Sequence, residues 1–124
     1  MIRKVCKGKL HRLTVTQADL EYMGSITLDK TLMDAANIRP YEMVQITNLA
    51  NAAIWHTYAI EGTKNTGEVC LNGPPARLFQ PGDKIIVLSL GFAEDNEDFQ
   101  SAVVFVDDKN HIVNMIHHRP WAAE

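Results

Sequence analysis

Cysteine is scarce in this chain: Cys6 and Cys70 are the only two in 124 residues. Their separation fits neither a CxxC pair nor a zinc-ligand spacing. They read instead as two reduced, buried thiols of a cytoplasmic protein. Long apolar runs are missing too. None approaches the roughly 18 residues that a membrane-spanning helix needs, so no membrane partner is expected. Neither sign of charge dominates, because 12 Lys and Arg against 15 Asp and Glu leave −3. Without a basic stripe there is no general pull toward nucleic acid or anionic lipid. The sequence also lacks a Walker loop, a GxGxxG turn and a nucleophile elbow around Ser25 or Ser89. The five histidines are scattered except for His117-His118, which read as a solvated tail, and no metal site is expected. Met1-Ile2-Arg3-Lys4 carries charge but leads into no apolar stretch, so a signal peptide is not expected.

What is present fits one soluble globular domain over residues 1–124. The chain is 46% hydrophobic and 22% charged, enough apolar surface for a core without staples. Lys7 to Thr16 alternates, which predicts a strand, straight or kinked. Gln17 to Leu20 predicts a turn or a single helical turn, and Ser25 to Leu28 favours β. Asp29 to Ile38 is the best helix, with Asp29 as N-cap and Pro40 as the stop. The period then changes to two. Strands are predicted at Met43–Asn48 and Ile54–Ile60, joined by a hairpin loop at Asn48–Asn51. A short strand, Glu68–Leu71, ends at the turn Asn72-Gly73-Pro74-Pro75. Gln80-Pro81-Gly82-Asp83 turns into Lys84–Leu90, the most apolar strand and the expected centre of the sheet. An acidic loop at Glu94–Asp98, a strand at Ala102–Val106, a turn and an edge strand at His111–Met115 complete the chain. Many short strands, one or two short helices and no βαβ alternation point to a mainly β protein, a small closed barrel.

Three polar islands interrupt these strands: Lys9-Leu10-His11-Arg12, Thr57-Tyr58 and Asn72-Gly73. Each has an ordinary reading, as solvated strand residues, strand formers and a turn. Taken with Gly24-Ser25 they form an ordered set. Gly8-Lys9-Leu10-His11-Arg12, Tyr22-Met23-Gly24-Ser25-Ile26-Thr27, Thr57-Tyr58, Cys70-Leu71-Asn72-Gly73 and Gly82-Asp83-Lys84-Ile85-Ile86 together resemble the bacterial aspartate 1-decarboxylases. The likeness covers nearly the whole chain and is least clear after about Ala93.

The resemblance implies a small double-psi β-barrel and a cytoplasmic homotetramer with active sites between subunits. It implies a pyruvoyl group made from Ser25, with neither a metal nor pyridoxal phosphate, and decarboxylation of L-aspartate to β-alanine for pantothenate synthesis. The chemical logic is general. Losing carbon dioxide from an amino acid leaves a carbanion that needs an electron sink, usually a Schiff base, and no ordinary side chain carries the carbonyl. On the family pattern the Ser25 hydroxyl attacks the Gly24 carbonyl and shifts the peptide to an ester. Elimination and hydrolysis then leave a β chain of residues 1–24 and an α chain of residues 25–124 headed by the pyruvoyl. Glycine at 24 suits that step, having no Cβ and a wide choice of backbone angles. The family pattern assigns oxyanion support to Thr57, with Asn72 as a second polar contributor to processing. Tyr58 takes the part of proton donor and Lys9 that of substrate-carboxylate partner. The resemblance leaves room for a maturation factor.

Two departures from the family bear on the substrate. An arginine normally stands three residues before the threonine, where this chain has Ile54. Alanines normally follow Asn-Gly and offer N–H groups to substrate, where this chain has Pro74-Pro75 beside Gly73. Losing one charge-assisted partner costs about 1.5–3 kcal/mol. The alternatives are therefore the same chemistry on a less acidic amino acid, one with an apolar side chain set beside Ile54 and Trp55, or aspartate with Arg12, Arg77 or His56 supplying the cation. A reading from another class is a non-catalytic double-psi barrel that serves as a binding module.

Overall fold

Alternating burial produces most of the architecture. The computed structural model describes residues 1–122, and Ala123 and Glu124, the end of the expected domain, lie outside the described residues. Nine strands form one mixed sheet: β1 (Ile2–Thr14), β2 (Gln17–Asp19), β3 (Ser25–Asp29), β4 (Met43–Asn48), β5 (Ile54–Gly62), β6 (Val69–Asn72), β7 (Lys84–Glu94), β8 (Ser101–Val106) and β9 (Ile112–His118). Their lateral order is β2-β6-β3-β5-β4-β7-β1-β8-β9. One helix, α1 (Lys30–Ala35), and one 3-10 turn, Pro74–Arg77, complete the described elements.

The sheet interleaves segments distant in sequence. β1 lies between antiparallel β7 and parallel β8, and β3 lies between antiparallel β6 and parallel β5. The sheet curls, so that Thr16, just past β1, donates its N–H to Val69 O of β6 at 2.8 Å. This is a small, mainly β barrel with short helical pieces, interleaved as the double-psi arrangement requires. Its interior holds Leu10, Leu13, Ile26, Leu28, Ile46, Leu71, Phe79 and Ile85, all sealed from solvent. Each such aliphatic side chain contributes roughly 1.5–3 kcal/mol by leaving water.

Several elements differ from the sequence reading. Gln17–Asp19 is neither a loose turn nor a helical turn, because it pairs in parallel with Cys70–Asn72. Asp29 does cap α1, accepting the Thr31 N–H at 2.8 Å. The helix nevertheless ends at Ala35, because Asn37 turns left-handed with φ of 57°. His117 and His118 belong to edge strand β9 rather than a tail, although both are exposed. Cys70 is buried as expected, but Cys6 is only half-buried, and both thiols are free. Strand β7 is paired on both sides, to β1 and β4, in keeping with its apolar sequence.

Candidate active site

The site grows from the register of three strands. Ser25 opens β3 directly opposite Asn72 of β6, and Thr27 stands opposite Cys70. Directly paired residues share a face, so these four side chains lie together on the outer side of the barrel wall. Ile26, Leu28, Val69 and Leu71 alternate with them and fill the core. On the other flank, Ile26 pairs with Ala59 of β5. Thr57 and Tyr58 are the two residues of β5 just before Ala59. Thr57 is 7% exposed and turned inward, whereas Tyr58 is half-buried and turned outward. These two adjacent residues thus face opposite ways, as strand geometry demands.

Ser25 is fully buried. The Asn72 side-chain amide donates to Ser25 Oγ at 3.0 Å and to Thr27 Oγ1 at 2.9 Å. The Ser25 hydroxyl itself faces Met23 O at 3.4 Å. The Asn72-Gly73-Pro74 turn presses on the residue before it. A Cβ built on Gly73 would lie 2.8 Å from Gly24 Cα and 2.9 Å from Gly24 N. Gly73 therefore must be glycine on steric grounds, and its φ of 78° agrees. Gly24 presents a different case. A Cβ there meets only Pro74 Cδ at 3.7 Å and Asn72 O at 3.9 Å, and its φ lies outside the left-handed region. The space around Gly24 in the uncleaved fold does not by itself demand glycine.

Pro74 and Pro75 occupy the first positions of the 3-10 turn, where N–H groups lack helical partners in any case. Their presence has this local structural reason. Pro74 is exposed and touches the Gly24 side of the site, and Arg77 is exposed at the end of the same turn. Ile54 is 56% exposed and shares the outer face of β5 with His56 and Tyr58. Trp55 points the other way and packs against the core. The expected apolar pair of Ile54 and Trp55 beside a substrate is therefore not formed. His56 Nε2 lies 3.2 Å from Gln45 Oε1.

Lys9 lies on a different strand from Ser25. It is half-buried on β1, paired with Leu88 and Val103, four strand positions from β3. Arg12 lies on the same strand, with φ of 61°, at an irregularity between Leu10 and Leu13. Lys9 and Arg12 do act on His11: burial first, then these two cations, push its pKa below the usual imidazole value.

Two participants were not singled out from the sequence. Cys70 Sγ donates to Asn72 Oδ1 at 3.2 Å, and Tyr41 stacks on Tyr58 with ring centroids 5.2 Å apart and 7° between planes. The signal for Cys70 and Thr27 was available, since each stands two residues from a named site residue on a strand. Next to these residues, on the outer face, a cavity of about 320 Å³ is lined by Tyr22, Thr27, Ile60, Cys70 and Asn72 together with the acidic Asp19, Glu61 and Glu68. Among the described residues no His, Cys, Asp and Glu cluster could hold a metal, and no helix is long and apolar enough to cross a membrane.

A buried serine hydroxyl, an amide aimed at it and a tight glycine turn packed on the preceding peptide bond form a specific arrangement. Comparison with known proteins finds similar chains. The profile of the aspartate decarboxylase family matches residues 1–113. The aspartate 1-decarboxylase of Leptospira biflexa is 49% identical over 113 residues, covering 89% of this chain and 96% of that protein. That of Clostridium beijerinckii is 52% identical over 116 residues, with 90% and 92% covered. That of Thermoanaerobacter pseudethanolicus is 49% identical over 117 residues, with 93% and 100% covered. With a match that spans the whole Ser25 site and the barrel around it, the chain belongs to the aspartate decarboxylase family.

Proposed function

We propose that this protein decarboxylates L-aspartate to β-alanine in the cytoplasm, supplying pantothenate synthesis, after breaking its own Gly24–Ser25 bond. The observation that carries the reading is the Asn72 amide 3.0 Å from a fully buried Ser25 Oγ, with Gly73 and Pro74 packed against Gly24. The residues present suit a pyruvoyl group at position 25. That group supplies an electron sink for the carbanion left when carbon dioxide departs.

The chain's own residues do the rest. Ser25 Oγ bonds to the Gly24 carbonyl carbon while the Gly24–Ser25 C–N bond breaks and the nitrogen takes the proton. The Ser25 Cβ–Oγ bond then breaks with loss of the Cα proton, which leaves Gly24 as a carboxylate. Water releases ammonia from the new terminus. Thr57, buried on β5, supports the charge on the carbonyl oxygen during attack. Asn72 holds Oγ and stabilises it as it becomes part of the carboxylate. In turnover Tyr58, on the outer face of β5, returns a proton to the substrate Cα.

Lys9 binds a substrate carboxylate, and on the family pattern the site it serves lies between copies of the chain. A homotetramer with shared sites satisfies that requirement. The reading of a less acidic substrate is not adopted. Trp55 faces the core, Arg77 ends the turn whose proline packs on Gly24, and the relatives at about half identity carry the name aspartate 1-decarboxylase. Neither is the binding module, for which a serine hydroxyl sealed against Asn72 has no use.

The test is a substrate panel on the purified, warmed protein. Aspartate should yield β-alanine, while glutamate, methionine and leucine remain inert. Turnover of leucine or methionine in place of aspartate would reverse the assignment. A chain that stays whole until a helper protein is added would assign cleavage to a maturation factor.

A further inference from the structure

Cys70 has no part in the family scheme described above, yet it is joined to the centre of the site. Its Sγ lies 3.2 Å from Asn72 Oδ1 in a buried contact, and Asn72 carries the only amide bonded to Ser25 Oγ among the described residues. All hydrogen-bonding groups of the Asn72 side chain are then used: Oδ1 accepts from Cys70, and Nδ2 donates to Ser25 and Thr27. We propose that Cys70 is a positioning residue for self-cleavage, its S–H fixing the orientation of the Asn72 amide so that Nδ2–H, and not Oδ1, faces Ser25 Oγ.

The orientation matters because the two faces of an amide have opposite effects on the reaction. With Nδ2–H toward Oγ, one lone pair of Oγ is held and the other is free to attack the Gly24 carbonyl. The same N–H then stabilises Oγ when the Cβ–Oγ bond breaks and the oxygen joins the Gly24 carboxylate. With the amide reversed, Oδ1 would take the Ser25 proton as an acceptor but would stand against the departing carboxylate and repel it. A thiol is a donor with only weak acceptor power. Reversal would strand an N–H of Asn72 against sulfur in a buried position and leave the S–H without its acceptor. The register supports the arrangement, since Cys70 and Asn72 alternate onto one face directly across from Thr27 and Ser25. Burial, then the Glu68 and Asp19 carboxylates, push the Cys70 pKa up, so the sulfur keeps its proton and remains a donor.

The proposal rests on cleavage at Gly24–Ser25 and deepens that reading. Precursor chains of the natural sequence, Cys70→Ser, Cys70→Val and Cys70→Ala are purified early and warmed, and intact mass gives the first-order rate of cleavage. Serine keeps a donor, valine fills the space without one, and alanine does neither. Loss of one neutral buried hydrogen bond slows the step about three- to tenfold. Cys70→Val and Cys70→Ala should be slower by that factor, and Cys70→Ser should cleave within about twofold of the natural chain. A serine variant as slow as the valine variant, or a valine variant as fast as the natural chain, overturns the role of Cys70 while leaving the cleavage reading intact. A natural chain that never yields fragments overturns both.

Discussion

Gly73→Ala and Gly24→Ala should behave in opposite ways, although both remove a glycine beside the same bond. At Gly73 the backbone has φ of 78° and ψ of −144°, close to a region held almost only by glycine. Forcing alanine there costs about 1–3 kcal/mol. Its new Cβ would also stand 2.8 Å from Gly24 Cα, 2.9 Å from Gly24 N and 3.0 Å from Tyr22 O, all backbone atoms. Overpacking of that kind adds about 1–3 kcal/mol. The sum, about 2–6 kcal/mol, is a large share of the ~5–15 kcal/mol that stabilises a folded domain. In a domain of this size each kcal/mol moves the melting temperature by about 3–5 °C. Gly73→Ala should therefore melt roughly 6–30 °C lower. At Gly24 the new methyl group meets only ordinary contacts near 3.7 and 3.9 Å, so the fold should lose less than about 1 kcal/mol. Differential scanning calorimetry on both variants, each carrying Ser25→Ala so that uncleaved chains are compared, measures the difference. Equal melting temperatures for the two, or the larger loss at Gly24, would refute the reading of the turn.

Other outcomes follow from the same geometry. Tyr58→Phe should cleave normally but lose at least tenfold in kcat, since it removes only the proton donor; chain masses together with β-alanine formation check this. Co-assembly of Lys9→Ala chains with Ser25→Ala chains should restore activity that neither variant has alone, because one intact site can combine Ser25 from the first with Lys9 from the second. No recovery in mixed assemblies would place Lys9 and Ser25 of one chain in the same site. Asp29 gives a pH effect. Burial raises its pKa, but the N–H groups of Gly67, Thr31 and Asn65 outweigh that and hold it below the ordinary carboxylate value. A depressed folded pKa stabilises the fold above the unfolded value and ceases to do so as pH falls through the folded one. The advantage of the natural chain over Asp29→Asn should thus be full at pH 7 and shrink below about pH 4 in urea titrations.

The legibility of the fold follows the range of each interaction. Met43–Asn48 is found with the bounds expected, because alternation along one strand is a local signal. Asp29 as an N-cap is equally local, contacting a residue two positions away. Gln17–Asp19 was misread because its three residues become a strand only by pairing with Cys70–Asn72, some fifty residues on. At the site, the residue types came through the family resemblance, and strand alternation then separated them in space. It turned Thr57 inward and Tyr58 outward, and it sent Trp55 to the core while leaving Ile54 on the surface. Gly24 is a different matter, because its expected part lies in the reaction. Cleavage chemistry favours a glycine there, but the resting backbone does not need one.

The most direct test of the whole account is intact mass after incubation with L-aspartate and cyanoborohydride. Two chains should be seen, residues 1–24 and residues 25–124, with the reduced amino-acid adduct on the larger one at position 25. A single chain of 124 residues without an adduct, or an adduct on a lysine of an uncleaved chain, would contradict it.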